Sequence, residues 1–307
     1  PPAIISLFIG RDLEEVLESV ANDDFEEKVI ENMVKIPHLG EIKTDSSDRN
    51  RTSPIAYTGN KFEFRMLGSS KSAADLNTLI NIGFAESVKK IADRLEKVDE
   101  DRLKEEAYSI VKEIYQENKN ILFQGDGYSE EWEKEAEKRG LENFPTFLEA
   151  VIAAKATNAY DIFEKSGIFT KKEIESIIKV EYEDVTKFFS SQLEILNNMI
   201  HQEILPSAMR EIASIKDYLS FVENERLRQR ARKINEKVDK LLDYCDVISD
   251  ILEKSEDMDL IEDKARYLQK ETRKVAAEIR QISDSLEKLI SRENYSMPNY
   301  VDMLKTL

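Results

Sequence analysis

The sequence predicts an α+β protein: a short strand-bearing segment first, then a long and almost purely helical one. Two observations predict it. Strand-like runs are confined to the first 70 residues, and after Gly167 there is no glycine, with only Pro206 and Pro298 to interrupt 140 residues.

The first element is "AIISLFIG", a continuous apolar run ending at Gly10 that reads as a buried strand. "RDLEEVLESVAN" follows as an amphipathic helix with Leu13, Val16, Leu17 and Val20 on one face. Residues 35–52 are polar and rich in turn formers, a loop. "SPIAYT" and "KFEFRML" then flank Gly59-Asn60, a pair suited to a two-residue hairpin turn. In the second strand Phe62, Phe64 and Met66 share one side, and Lys61, Glu63 and Arg65 the other.

"GSSKSAADLNTLINIGFAESVKKIADRLEK" reads as a long helix capped by Ser69 or Ser70. "EDRLKEEAYSIVKEIYQENK", "SEEWEKEAEKRG" and "FPTFLEAVIAAKATNAYDIFEKSG" continue as helices punctuated by glycines. In the tail, Leu227, Ala231, Ile234, Val238, Leu241, Cys245, Ile248 and Leu252 alternate spacings of four and three. A matching seam runs from Ile261 through Leu268, Val275 and Ile282 to Leu289. Two seams joined by "EKSEDMD" predict an antiparallel helical hairpin within about residues 210–293.

Composition narrows the function classes. The 307 residues are 41% hydrophobic and 8% aromatic, a globular balance, and no apolar run approaches the ~18 residues that span a bilayer. A net charge of −17 argues against nucleic acid or an anionic membrane as the main partner. Residues 71–207 hold 28 acidic against 18 basic side chains, which sets off the cations clustered at Arg49, Arg51, Lys61 and Arg65. One cysteine excludes an internal disulfide and fits a reducing cytosol. The opening Pro1-Pro2, without initiator Met or basic n-region, reads as a strand from mid-fold, so the chain is expected to be a fragment without a signal peptide.

Several motifs have a plain structural account. "GSSKS" could hold a phosphate at a helix start but lacks P-loop spacing, so it reads as capping. "QGDGYSEEW" reads as a turn and N-cap. His38 and His201 lack any metal-ligand spacing, Cys245 occupies a seam position, and "RLRQRARK" at 226–233 balances acidic neighbours on a helix face. The Lys61–Glu63–Arg65 face admits two readings. It is a solvated strand face with a surface ion pair, or it is metal–phosphate chemistry, the carboxylate holding a hard cation and arginines clamping anionic oxygens. No nucleophile–base pair is visible, so any catalysis would be electrostatic.

"IPHLGEIKTDSSDRNRTSPIAYTGNKFEFRMLGSS" resembles the signature of type III glutamine synthetases, ATP-dependent glutamate–ammonia ligases. "PPAIISLFIG" is similar to the strand after that family's glutamate flap, and "GDGYSEEWEKEAEKRGL", "GIFTKKEIES", "ILPSAM" and "MPNYVDML" to its C-terminal helical extension. The resemblance implies a catalytic-domain portion at residues 1–95 and a helical C-terminal domain at 96–307. It implies that Arg51 stabilises phosphate and the tetrahedral transition state, that Glu63 binds the metal engaging ATP (Mg²⁺ or Mn²⁺), and that Arg65 grips the glutamate carboxylate, with Lys61 near ATP.

The resemblance further implies a cytoplasmic homo-oligomer with a double-ring assembly, using glutamate, ammonium and ATP. There are departures. Ala56 stands where other classes of the superfamily place an arginine, and "KSAADLNTL" replaces a Gly-Pro before Asn77. The family's other metal ligands, its flap and its β-grasp domain would lie upstream of Pro1, so this chain alone is expected not to turn over. The rival expectations are a γ-glutamyl amine or polyamine ligase and a non-catalytic helical assembly module.

Overall fold

The computed structural model describes residues 4–24, 33–36, 40–43, 53–65, 72–298 and 300–305. The chain divides into two compact units, Pro1–Thr170 and Lys171–Leu307. Mostly helical structure with one small three-stranded sheet agrees with the α+β expectation at this coarse level.

In the first unit the apolar run yields only a short strand, β1 (Leu7–Phe8), before helix α1 (Arg11–Ala21) begins at Gly10. Gly10 takes φ 81°, a conformation open to glycine at little cost, and so turns strand directly into helix. Strands β2 (Met33–Ile36) and β3 (Gly40–Lys43) pair antiparallel, Met33 opposite Lys43 and Ile36 opposite Gly40. The loop expected over residues 35–52 takes in the end of β2 and all of β3, since a short connection suffices to pair two short strands.

Strands β4 (Ile55–Tyr57) and β5 (Phe62–Phe64) form the predicted hairpin, and the sheet runs β1-β4-β5. Its turn is Gly59-Asn60: the Thr58 amide donates to the Lys61 carbonyl at 2.9 Å. Gly59 has φ 92° and Asn60 has no positive φ, the pattern of a II′ turn whose twist matches its strands.

Helix α2 (Ala73–Leu95) starts two or three residues later than the capping expectation of Ser69 or Ser70, with Ser72 as the cap that accepts the Ala74 amide at 3.1 Å. Residues 68–70 lie outside the described residues. Of the apolar side chains on α2, Ile82 is buried, while Leu79, Ile80, Phe84 and Val88 are exposed. Helix α3 (Leu103–Asn118) packs against α1. Helix α4 (Glu130–Lys138) begins at Ser129, whose hydroxyl accepts the Trp132 amide at 3.1 Å. The next expected helix is two, α5 (Phe147–Ala156) and α6 (Asp161–Lys165). Asn158 at φ 55° breaks it, since asparagine enters the left-handed region more readily than most residues.

The second unit opens with α7 (Lys171–Met199), which continues through a π-helical segment, Ile200–Ile204, into α8 (Leu205–Leu219). Pro206 explains the widened turn. It has no N–H to give and its ring crowds the carbonyl one turn back, and a π-bulge relieves both. Helices α9 (Glu225–Glu256) and α10 (Ile261–Glu287) follow. Four residues connect them and they pack on each other, so they run antiparallel. The hairpin therefore occupies 225–287, with residues 210–219 belonging to α8. Seam residues Ile234, Leu241, Ile248, Leu268, Ile279 and Leu286 are at most 1% exposed. Helix α7 packs against both α9 and α10, and α8 against α9.

One polar cluster in this unit had no signal in the sequence. Glu211 on α8 is 5% exposed and accepts from the Ser291 amide (3.0 Å), the Ser291 hydroxyl (2.7 Å), Asn294 Nδ2 (2.8 Å) and Arg230 Nη2 (2.7 Å). Arg230 also donates to the Leu289 carbonyl. The carboxylate thus ties α8, α9 and the chain leaving α10 together. Burial pushes its pKa up, but the Asn294, Ser291 and Arg230 contacts outweigh this and hold it below the ordinary 4.5.

Three tests follow from this unit. Glu211→Ala leaves a largely desolvated set of donors unpaired, and is expected to destabilise the unit by about 3 kcal/mol in denaturant titrations followed by helical circular dichroism. Because the folded pKa is depressed, the contribution of Glu211 is complete above pH 4.5 and is lost as pH falls through the folded value; Glu211→Gln should flatten that acid limb. Thr272 sits in the α10 seam at 3% exposure with no partner for its hydroxyl. Thr272→Val should therefore raise the unfolding free energy by about 1 kcal/mol in the same titration.

Candidate functional site

The β4–β5 hairpin gathers three of the four residues expected to carry function. Glu63 lies opposite Ala56 in the register, with Phe64 opposite Ile55 and Phe62 opposite Tyr57. Glu63 Oε1 stands 3.1 Å from Lys61 Nζ, and Oε2 receives Arg65 Nη2 at 3.1 Å and Nε at 3.3 Å. Residues 61, 63 and 65 meet because alternate side chains of a strand share a face. The carboxylate is held between an ammonium on one oxygen and a guanidinium fork on the other.

The three groups differ in exposure. The Lys61 side chain is 64% exposed, Glu63 38% and Arg65 16%. Lys61 is therefore mostly in solvent, while Arg65 is largely enclosed and its amide donates to the Pro54 carbonyl at 2.7 Å. Hydrogen bonds from Lys61 and from Arg65 lower the Glu63 pKa below the ordinary 4.5, so the group is a carboxylate throughout the neutral range. Arg51, the fourth residue, lies outside the described residues, as do Arg49 and His38.

Ala56 is fully buried. Cross-strand neighbours share a face, so this methyl lies on the Glu63 side of the sheet and fills its place without a charge. A long basic side chain would not fit that enclosed position without displacing its neighbours. On the opposite face Phe62 is 60% and Phe64 36% exposed, with Phe62 against the Tyr57 ring at 5.2 Å.

The remaining sequence candidates stand apart from this hairpin. Cys245 is buried in the α9 seam, where burial and then Asp246 raise its pKa and keep the thiol protonated. His201 lies in the π segment. The basic run on α9 is engaged with acids, Arg228 with Glu223, Arg230 with Glu211 and Arg232 with Glu225. Among the described residues no three acidic, His or Cys side chains come together as a metal cluster, so Glu63 could supply one ligand of a cation site but not the set.

Comparison with known proteins shows what the chain resembles. Residues 106–221 match the family described as the glutamine synthetase C-terminal domain. Over 99% of its length the chain is 27% identical to the type-3 glutamine synthetase of Dictyostelium discoideum, covering 43% of that protein. Over its full length it is 30% identical to a glutamine synthetase of Bacteroides fragilis (strain YCH46) and 29% identical to one of Butyrivibrio fibrisolvens, covering 44% and 45% of them. The chain resembles glutamine synthetases from end to end. It spans a little under half the length of these relatives, and the strand-bearing segment with Glu63 is included in the similarity along with the helices.

The electrostatics of the hairpin can be measured directly. In a carbon-detected titration of the Glu63 carboxyl, the midpoint should fall below 4.5, and Lys61→Ala or Arg65→Ala should each move it upward. A midpoint at 4.5, unmoved by either change, would mean that the two cations do not hold the carboxylate in solution.

Proposed function

We propose that this chain is part of a glutamate–ammonia ligase of the type III class. In this reaction ATP phosphorylates the side-chain carboxylate of glutamate, and ammonia displaces phosphate from γ-glutamyl phosphate to give glutamine. The single observation that carries the reading is whole-length similarity to glutamine synthetases, which takes in the segment where Glu63 is held between Lys61 and Arg65.

The roles are those that the resemblance implies, and the charge and exposure of the described residues suit them. Arg65, largely enclosed, is the group to bind the carboxylate of glutamate, since a guanidinium meets carboxylate oxygens in a planar fork. Lys61 reaches into solvent and is suited to the phosphates of ATP. Arg51 would stabilise the transferred phosphate and the tetrahedral transition state. These cations act where negative charge accumulates, and this reaction requires no protein nucleophile.

Glu63, ionised and partly exposed, fits as one ligand of Mg²⁺ or Mn²⁺, a hard cation that takes carboxylate oxygen. Such an ion supplies charge neutralisation to crowded phosphate oxygens. Further ligands would come from groups outside the described residues. The site would operate in a cytoplasmic homo-oligomer, a double ring in its full form. No helix of the described residues is long and apolar enough to cross a membrane.

The test is ADP release dependent on both glutamate and ammonium, with Mg²⁺, in the full-length gene product and in this chain alone. Activity is expected in the full-length product only, falling on the order of 100-fold or more in Glu63→Ala, as for loss of a single transition-state contact. Turnover by this chain alone would contradict the division of ligands given above. A folded but silent full-length product would remove the ligase reading, and a preference for polyamines over ammonium would replace it with a related γ-glutamyl ligase.

A further inference from the structure

A polar chain with two buried hydroxyls lies beside β1 at the entry to β4. The Ser6 hydroxyl donates to Ser53 Oγ at 3.2 Å, and the Ser53 hydroxyl donates to the Phe123 carbonyl at 3.3 Å. Ser6 is 1% and Ser53 3% exposed. Ser53 precedes Pro54, whose carbonyl accepts the Arg65 amide at 2.7 Å. Leu122 and Phe123 follow α3, and both lie within the segment that matches the C-terminal domain family.

This connecting segment is itself locked in place. Leu122 bridges Leu7 in parallel, and the Phe123 amide donates to the Leu7 carbonyl at 3.1 Å, so the segment extends the sheet at β1. Arg139, at the end of α4, donates to the Leu122 carbonyl at 2.9 Å. The Phe123 ring stacks on the buried Trp132 with centroids 3.7 Å apart. A Cβ at Gly125 would meet that ring at 2.6 Å, and the stacked ring has little room to yield.

We propose that Ser53 is a positioning residue for Arg65, and that the helical region fixes the glutamate-binding arginine through Phe123, Ser53 and Pro54. The path has a physical basis at each step. Removing the Ser53 hydroxyl leaves the buried Ser6 hydroxyl and the part-buried Phe123 carbonyl without this partner, and the cost falls on the strand entry that holds the Arg65 amide. A guanidinium displaced by a fraction of an ångström loses its fork geometry toward a carboxylate, while the more exposed Lys61 is unaffected. The substrate assignment of Arg65 rests on the ligase reading; the mechanical link does not.

The experiment uses the full-length gene product with Ser53→Ala and, separately, Gly125→Ala, which acts on Phe123 from the helical side without touching the hairpin. Hydrogen exchange at the Arg65 amide should quicken about tenfold in both, with the α9–α10 amides unchanged. The KM for glutamate should rise about fivefold, with kcat and the KM for ATP within about twofold. Unchanged exchange at Arg65 in both variants overturns the proposal. So does quickened exchange with equal shifts in the two KM values, which would mark general loosening. If the unmodified product shows no ligase activity, that reading fails, and the exchange result alone decides whether the link exists.

Discussion

Strand β4 is held on both edges, by β1 on one side and β5 on the other, and the candidate site depends on this central placement. With only three residues it could not persist as an isolated pair in water. Its parallel register with β1, Leu7 to Ile55 and Phe8 to Ala56, sets Ala56 in the interior. The antiparallel register with β5 then puts Glu63 directly across from that methyl. Any slip of one residue would exchange the Lys61–Glu63–Arg65 face with the Phe62–Phe64 face. Two features prevent a slip: the Gly59-Asn60 turn, which fixes the pairing from one end, and the Arg65–Pro54 bond, which fixes it from the other.

The second unit solves a different problem. Helices as long as α7, α9 and α10 gain little from propensity alone and need a continuous apolar seam to stay packed. That seam is nearly dry, so its few polar members stand out. Thr272 sits within it unpaired, and Glu211 stands at its end with every contact matched to a donor. The difference is location: at the end of the hairpin several chain segments converge and can bring amides and hydroxyls to one carboxylate, whereas mid-seam the neighbours are aliphatic.

The helical hairpin was legible because its signal is repeated over many turns. Each seam residue from Ile234 to Leu286 states the same period, and one odd residue does not blur it. The β4–β5 hairpin was legible from Gly59-Asn60 and the alternation around Glu63. What could not be read were features resting on single residues or distant pairings. The β2–β3 pairing hides in a polar stretch, the helix break at Asn158 is one dihedral, and Ser53 finds Phe123 seventy positions away. Glu211 likewise draws its partners from residues 230, 291 and 294, which no local pattern connects.

The charge pattern of the hairpin also explains why sequence could not separate its two readings. A carboxylate between two cations at strand spacing is as well suited to a solvated ion-pair face as to an anion-handling site, and the exposed Lys61 fits the first. Arg65 differs in a way that only the fold reveals. At 16% exposure its side chain is largely enclosed, whereas that of Lys61 is not. The enclosure of Arg65, together with the buried serine pair at the entry to β4, is a property of this hairpin that its alternating charges do not announce.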